Sequence, residues 1–199
     1  MELARMRPLL AHPHLEKGRG LSRALLRSVR FRDRTKTDPR GNAIFPHADK
    51  DGPCGYEIKS AGFTGFSPGG DKELWFSATA NEDRVLVIAE SGIDALSHAA
   101  LFPRAHARYT SIAGAMNPRQ PDLIASAIEK MGQGARIVLA MDNDAPGRDL
   151  AERIAAIARK MGRDDHTILP HLPEGEGMDW NDCLRAVRTI ATPPSVGEV

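Results

Sequence analysis

Three carboxylates in this sequence sit where a carboxylate is costly. Glu90 follows the apolar run RVLVIA, and Asp142 and Asp144 follow ARIVLAM in the run MDNDAPGR. An unpaired charge at the end of a buried strand is unfavourable unless a partner offsets it, and two strands ending this way ask for a cation. Asp142 and Asp144 flank Asn143, so in extended backbone their side chains point the same way and can share a hard divalent ion. Asp94 lies four residues after Glu90, one turn along the helix that follows, and faces the same place. The chemistry that fits such a cluster is metal-assisted phosphoryl or nucleotidyl transfer, with Mg²⁺ or Mn²⁺ polarising phosphate oxygens. Taken alone, Asp144 ahead of Ala145-Pro146 reads as a helix N-cap. Capping accounts for one acid at the head of one helix, not for four acids on two strand-to-helix junctions.

The elements that must hold these acids are legible in the hydrophobic pattern. From Arg84 onward, apolar runs alternate with helical stretches: RVLVIA and a helix from Ser91 to Leu101, ARYTSI and a helix from Pro121 to Met131, ARIVLAM and a helix from Pro146 to Met161. The strand HTILP and the helix DWNDCLRAVRTI complete the series. This alternation predicts an α/β fold, a mainly parallel sheet flanked by helices, with ligands at the carboxyl ends of the strands. Ahead of it, residues 1–36 carry helix-like spacing through Leu21, Leu25, Leu26 and Val29, with Ser22 as a cap. Between Gly41 and Ser77, the runs AIF, GYEIK and LWFS read as short strands, and DKDG and SPGGD as turns. The expected organisation is a small basic α+β subdomain over residues 1–82, an α/β domain over 83–190 and a flexible tail over 191–199.

The chain of 199 residues carries 27 Lys+Arg against 26 Asp+Glu, but the charges are separated. Residues 1–40 hold 11 Lys/Arg and 4 Asp/Glu, leaving 16 and 22 for the rest. A basic arm beside an acidic body suits a polyanion partner and a metal-using core. Cys54 and Cys183 form no CxxC pair, which excludes a disulfide framework and a cysteine-built zinc site. GxxxxGK(S/T), GxGxxG after a strand and GxSxG are all absent, so neither a P-loop, a Rossmann site nor a nucleophile elbow is available. His12 and His14 lack a third ligand and read as loop. No run approaches the ~20 apolar residues of a membrane helix. The expected setting is cytoplasmic.

The ordered set of an apolar strand ending in Glu90, then Asp94, then a strand ending in Asp142-Asn143-Asp144 with Gly147-Arg148 behind it, resembles the Toprim domain of primases, topoisomerases and related nucleases. The resemblance covers residues 83–188. Within it, Met178-Asp179-Trp180-Asn181-Asp182 is similar to the third acidic motif of primase-type Toprim domains, which implies Asp179 near the metals; an N-cap of the last helix fits Asp179 equally well. Many Toprim domains follow the glutamate directly with glycine, whereas here Ser91 precedes Gly92. HPHLEKGRGLSRALLRSVRF, the NAIFPHADKDG run and GFTGFSPGGDKELWFS are similar to the region that precedes Toprim in bacterial primases and plasmid-borne Toprim proteins. That region carries a basic surface for template and phosphates in the family.

The resemblance implies Glu90, Asp142 and Asp144 as catalytic carboxylates, with Glu90 also a general base or acid. Glu90, Asp94, Asp142, Asp144 and Asp179 are the implied metal ligands, and Arg148 meets phosphate. Arg19, Lys59 and Lys72 are candidates for contacts to nucleic acid or nucleotide phosphate, each reading equally as a solubilising surface charge. Trp75 and Phe76 suit a core better than base stacking. The leading expectation is primer synthesis in plasmid or phage replication or mobilisation. Its expected partners are single-stranded DNA or RNA, nucleoside triphosphates, and a replication or relaxase/helicase protein. A metal-dependent nuclease and a noncatalytic nucleic-acid-binding replication accessory module are the alternatives. Topoisomerisation needs a tyrosine nucleophile and a large gate, and the chain has only Tyr56 and Tyr109.

Overall fold

A computed structural model describes residues 2–191. The tail expected over 191–199 lies outside the described residues, apart from Ala191 at the end of the last helix.

The N-terminal segment is built of short pieces. Glu2–Arg5 is a 3-10 turn, β1 (Arg7–Pro8) pairs antiparallel with β2 (Lys36–Thr37), His14–Gly18 is one π-helical turn, and α1 spans only Arg23–Leu26. The helix-like spacing over residues 1–36 therefore does not make a continuous helix. Pro8 and Pro13 lack the N–H a helix needs, and Gly20 turns the chain at φ 69°. Leu15, Leu21 and Leu26 are buried all the same, while Val29 is 76% exposed and belongs to no apolar stripe. Ser22 caps α1 as expected, its hydroxyl accepting from Leu25 N at 3.2 Å.

Four antiparallel strands follow: β3 (Ala43–Asp49), β4 (Gly52–Ser60), β5 (Phe63–Phe66) and β6 (Leu74–Phe76). β5 was not expected, because FTGF is interrupted by glycine and shows no clean alternation. The α/β series then runs β7 (Val85–Ala89), α2 (Gly92–Leu101), β8 (Ala107–Ser111), α3 (Gln120–Glu129), β9 (Arg136–Ala140), α4 (Ala145–Lys160), β10 (Thr167–Pro170) and α5 (Trp180–Ala191). Strands β7 to β10 are mutually parallel in the order β8-β7-β9-β10. β6 pairs antiparallel with both β8 and β3, so one sheet of order β1-β2-β3-β6-β8-β7-β9-β10 crosses the boundary expected near residue 82, with β4 and β5 branching from β3.

The alternation of β7 explains its unbroken apolar sequence. Val85, Val87 and Ala89 join Ile93, Leu96, Trp180 and Leu184 on the face covered by α2 and α5. Leu86 and Ile88 face Ile124, Ile128, Leu150 and Ile154 of α3 and α4. Both faces are buried, as a parallel sheet requires. Trp75 is fully buried, stacked on Phe31, with its Nε1 donating to Arg34 O at 2.7 Å, which fixes the N-terminal segment to the sheet.

Gly92 begins α2 directly beneath the Phe45 ring, and a Cβ there would overlap it. Gly92→Ala is expected to cost about 1–3 kcal/mol through this overpacking. A fall in the urea midpoint at unchanged m-value would register the loss, and an unchanged midpoint would contradict the contact.

Candidate active site

The strand ends position the acids. β7 and β9 lie side by side in parallel register, Ala89 beside Ala140, so the chain leaves both strands at the same edge. Glu90 therefore stands next to Asp142, accepting from Asp142 N at 3.2 Å. Ser91 caps α2 by accepting from Asp94 N at 3.2 Å, and its hydroxyl donates to Asp94 Oδ2 at 2.5 Å. This local turn holds Asp94 at the head of α2, where it lines the same cleft as Glu90. Asp179, ahead of α5, caps that helix through Asp182 N at 2.6 Å. Glu90, Asp94, Asp142 and Asp179 line one cleft of about 310 Å³. Asp144 does not line this cleft; it caps α4, accepting from Gly147 N at 2.7 Å. Both acids read alternatively as caps are caps; Asp179 also lines the cleft.

The acids raise one another. Burial, then the charges of Asp94, Glu90, Asp179 and Asp144, push the Asp142 carboxyl up to about 8. Burial and Asp179 push Asp94 up to about 7, and burial raises Glu90. Asp94 Oδ1 and Asp142 Oδ1 are buried with no hydrogen-bond partner. Among the described residues, no three His, Cys, Asp or Glu side chains already close into a ligand set. The acids are instead tied to neighbouring backbone groups, and two orphaned oxygens remain in a cleft of excess negative charge. Hard oxygen donors in that state suit a hard divalent cation such as Mg²⁺ or Mn²⁺.

The cleft also holds residues the sequence did not single out. Glu57 on β4 is 3% exposed, accepts from Gly92 N at 3.3 Å and pairs with Lys59 Nζ at 2.8 Å. Thr64 stands opposite Lys59 in the β4–β5 register, and both line the cleft. On the facing side, Ala113 adopts φ 59° and Gly114 φ 82°, with Gly114 N donating to Glu90 O at 3.0 Å. A non-glycine residue held in that region is strain tolerated where neighbouring contacts fix it. The alternation in GYEIK was the available signal for Glu57, since it puts Glu57 and Lys59 on one face.

The four candidate cations part company. Arg19 and Lys59 line the acidic cleft. Lys72 donates to Ala115 O at 2.6 Å, and Arg148 makes a bidentate pair with Glu176 at 2.9 and 3.0 Å while reaching Asn143 Oδ1 at 2.8 Å. Neither lines the cleft. Trp75 is core and Phe76 is half-buried away from the acids.

Gly147 leaves no room for a side chain. A Cβ at this position would overlap Asp142 O and come within 2.9 Å of Glu90 Oε1. Gly147→Ala is expected to spread the two strand ends and lower turnover by up to about 100-fold, the cost of a misplacement near 1 Å. Turnover within twofold of wild type by the folded variant would contradict this.

Comparison with known proteins gives the arrangement its family. Residues 87–184 match the model of the family described as Toprim-like. These residues are a Toprim-like domain. The Toprim-like domain spans β7 to the first turns of α5 and carries Glu90, Asp94, Asp142, Asp144 and Asp179. Residues 13–83 match the family described as "Protein of unknown function (DUF3991)". The crystal structure of the primase fragment of the bacteriophage T7 primase-helicase protein superposes at a TM-score of 0.55 and 17% identity, over 88% of this chain and 70% of that one. A chain from the bacteriophage T7 lagging-strand DNA polymerase interacting with primase domains, bound to an RNA/DNA hybrid and dTTP, gives 0.54 and 15%, over 94% and 90%. At such identities the likeness is one of fold, and it extends through the N-terminal unit as well as the Toprim-like domain. No curated protein matches the chain in sequence.

Proposed function

We propose that this chain is a primase-like nucleotidyltransferase acting on nucleic acid with Mg²⁺ or Mn²⁺. One observation carries the reading: a Toprim-like domain in a primase-type fold presents two buried, unpartnered carboxylate oxygens, from Asp94 and Asp142, into a single cleft. Asp142, Glu90 and Asp94 are the residues that would hold the cation, with Asp179 lining the same cleft and Asp144 adding negative charge nearby. When bound, the cation supplies polarisation of phosphate oxygens and neutralises charge as it develops. Glu90, with its carboxyl raised by burial, is suited to accept a proton from an attacking hydroxyl. Arg19 and Lys59 orient phosphate, and the basic N-terminal unit, residues 1–82, holds single-stranded template beside the catalytic unit, 83–190.

The biological setting we infer is plasmid or phage replication or mobilisation in the cytoplasm, with a replication or relaxase/helicase protein as partner. Among the described residues, no helix is long and apolar enough to cross a membrane.

The test incubates the protein with unlabelled single-stranded template and labelled nucleoside triphosphates, and separately with end-labelled DNA, each with Mg²⁺ or Mn²⁺ and Asp142→Asn as control. New labelled oligomers absent from the variant support primer synthesis. Shortened DNA that needs no triphosphate identifies a nuclease instead, and silence in both from a folded, DNA-binding wild type identifies an accessory module.

A further inference from the structure

The two cations of the cleft are not equivalent. Lys59 is neutralised by Glu57 at 2.8 Å. Arg19, by contrast, has no carboxylate within ion-pair distance among the described residues, although it shares the cleft with Asp179. What holds it is an amide from the far end of the chain. Asn181 is 1% exposed; its Nδ2 donates to Arg19 O at 2.8 Å and to Ser97 Oγ at 3.0 Å, and its Oδ1 accepts from Arg19 Nη1 at 3.3 Å. One side chain thus fixes both the backbone and the guanidinium of Arg19, and anchors them to α2. Of the five N–H donors of a guanidinium, this contact uses one.

The chemistry of the clamp matters. A carboxylate at position 181 could pair with the guanidinium but would cancel its charge and could not donate to Arg19 O, whereas a neutral amide sets direction and leaves the charge available. It also supplies the donors that Arg19 O and Ser97 need, so the buried side chain is satisfied.

We propose that Asn181 is a positioning residue that presents the uncompensated Arg19 guanidinium to a phosphate of a polynucleotide lying in the acidic cleft. The identity of that ligand rests on the primase-like reading. The clamp explains why the basic N-terminal unit and the start of α5 are joined here: the phosphate-binding cation is set by Asn181, two positions beyond Asp179, which caps the same helix.

The experiment measures binding of a fluorescein-labelled single-stranded oligonucleotide by anisotropy across a salt series with Mg²⁺. Arg19→Ala and Asn181→Ala are each expected to weaken binding about tenfold, the worth of one charge-assisted contact. The double variant is expected to be no weaker than Arg19→Ala alone, because both changes remove the same contact. Each lowers the slope of log K against log salt by about one. Asn181→Asp is expected to reproduce the loss, because the carboxylate neutralises the guanidinium and cannot donate to Arg19 O. A merely structural Asn181 would lower the melting temperature yet leave the salt slope at wild type; that outcome, additive losses, or wild-type affinity in Arg19→Ala overturns the proposal. Coupled binding losses in a protein that makes no primer overturn the primase-like reading and leave the clamp standing, while a wild type that does not bind the oligonucleotide overturns both.

Discussion

Asp142→Asn is expected to yield a folded protein without metal-dependent turnover and with a higher melting temperature than wild type above pH 7. The first half follows from the position of Asp142 among Glu90, Asp94 and Asp179, with one carboxylate oxygen lacking any protein partner. The amide keeps the shape and removes the charge that a cation needs. The second half follows from the same crowding. In the folded protein, burial and neighbouring acids push Asp142 up to about 8, and burial with Asp179 pushes Asp94 up to about 7. In the unfolded chain both ionise near pH 4. Between those values the folded state holds more protons than the unfolded state, so wild-type stability falls as pH rises from about 4 to about 8. The variant escapes part of that loss. The cleft is partly open to water, which screens the repulsion and leaves a gain of about 1–2 kcal/mol, or roughly 3–6 °C in Tm. Saturating Mg²⁺ should stabilise wild type and not the variant, closing the gap. Thermal melts at pH 5 and pH 8, with and without Mg²⁺, check all three statements. A variant no more stable than wild type at pH 8 would contradict the crowding, and retained turnover would defeat metal catalysis at this cleft.

The largest stability effect is expected at Asp83, far from the chemistry. Its side chain is fully buried and accepts from Arg30 Nη1 and Nη2 at 2.9 and 2.8 Å, from Arg108 Nε at 3.2 Å and from Ala80 N at 2.8 Å. It joins the N-terminal unit to β8 just ahead of β7. Asp83→Ala would leave two largely buried guanidiniums facing each other without a carboxylate, a loss of about 3–5 kcal/mol, or on the order of 10 °C in Tm. Burial pushes the Asp83 carboxyl up, but the hydrogen bonds of Arg30 and Ala80 and the charges of Arg30 and Arg108 hold it below the usual carboxylate range. Its contribution is therefore complete above the unfolded value near pH 4 and declines as pH falls through the lowered folded one. The gap between wild type and variant should narrow on acidification, and a gap independent of pH would contradict the pairing.

The sequence exposed the α/β half well because its central strands β7 and β9 are runs of apolar residues and the helices that follow them are punctuated by caps, at Ser91 and Asp144. The acids were legible for the same reason, since strand ends locate them without tertiary knowledge. The N-terminal unit was less so: its leucines are buried by short turns around Gly20 and the prolines, and β5 exists only because β4 offers it an edge. Glu57 and Asn181 were not singled out because what makes them matter is distant, with Gly92 lying 35 residues from Glu57 and Arg19 lying 162 residues from Asn181. Lys72 and Arg148 read as free cations because Ala115 O and Glu176 reveal themselves only after folding.

The bond between Arg19 and Asn181 also sets an order in time. At about 5–20 residues per second, a ribosome needs roughly 8–32 s to add the 162 residues that separate them. Through that interval the sheet and its first acids can form, while Arg19 is unclamped and the faces of α2 destined for α5 remain open to water and to chaperones. The wall of the cleft that carries Asp179 is the last to arrive. Completion of the cleft thus waits on one late docking event, the arrival of Asn181 and α5, rather than accumulating strand by strand.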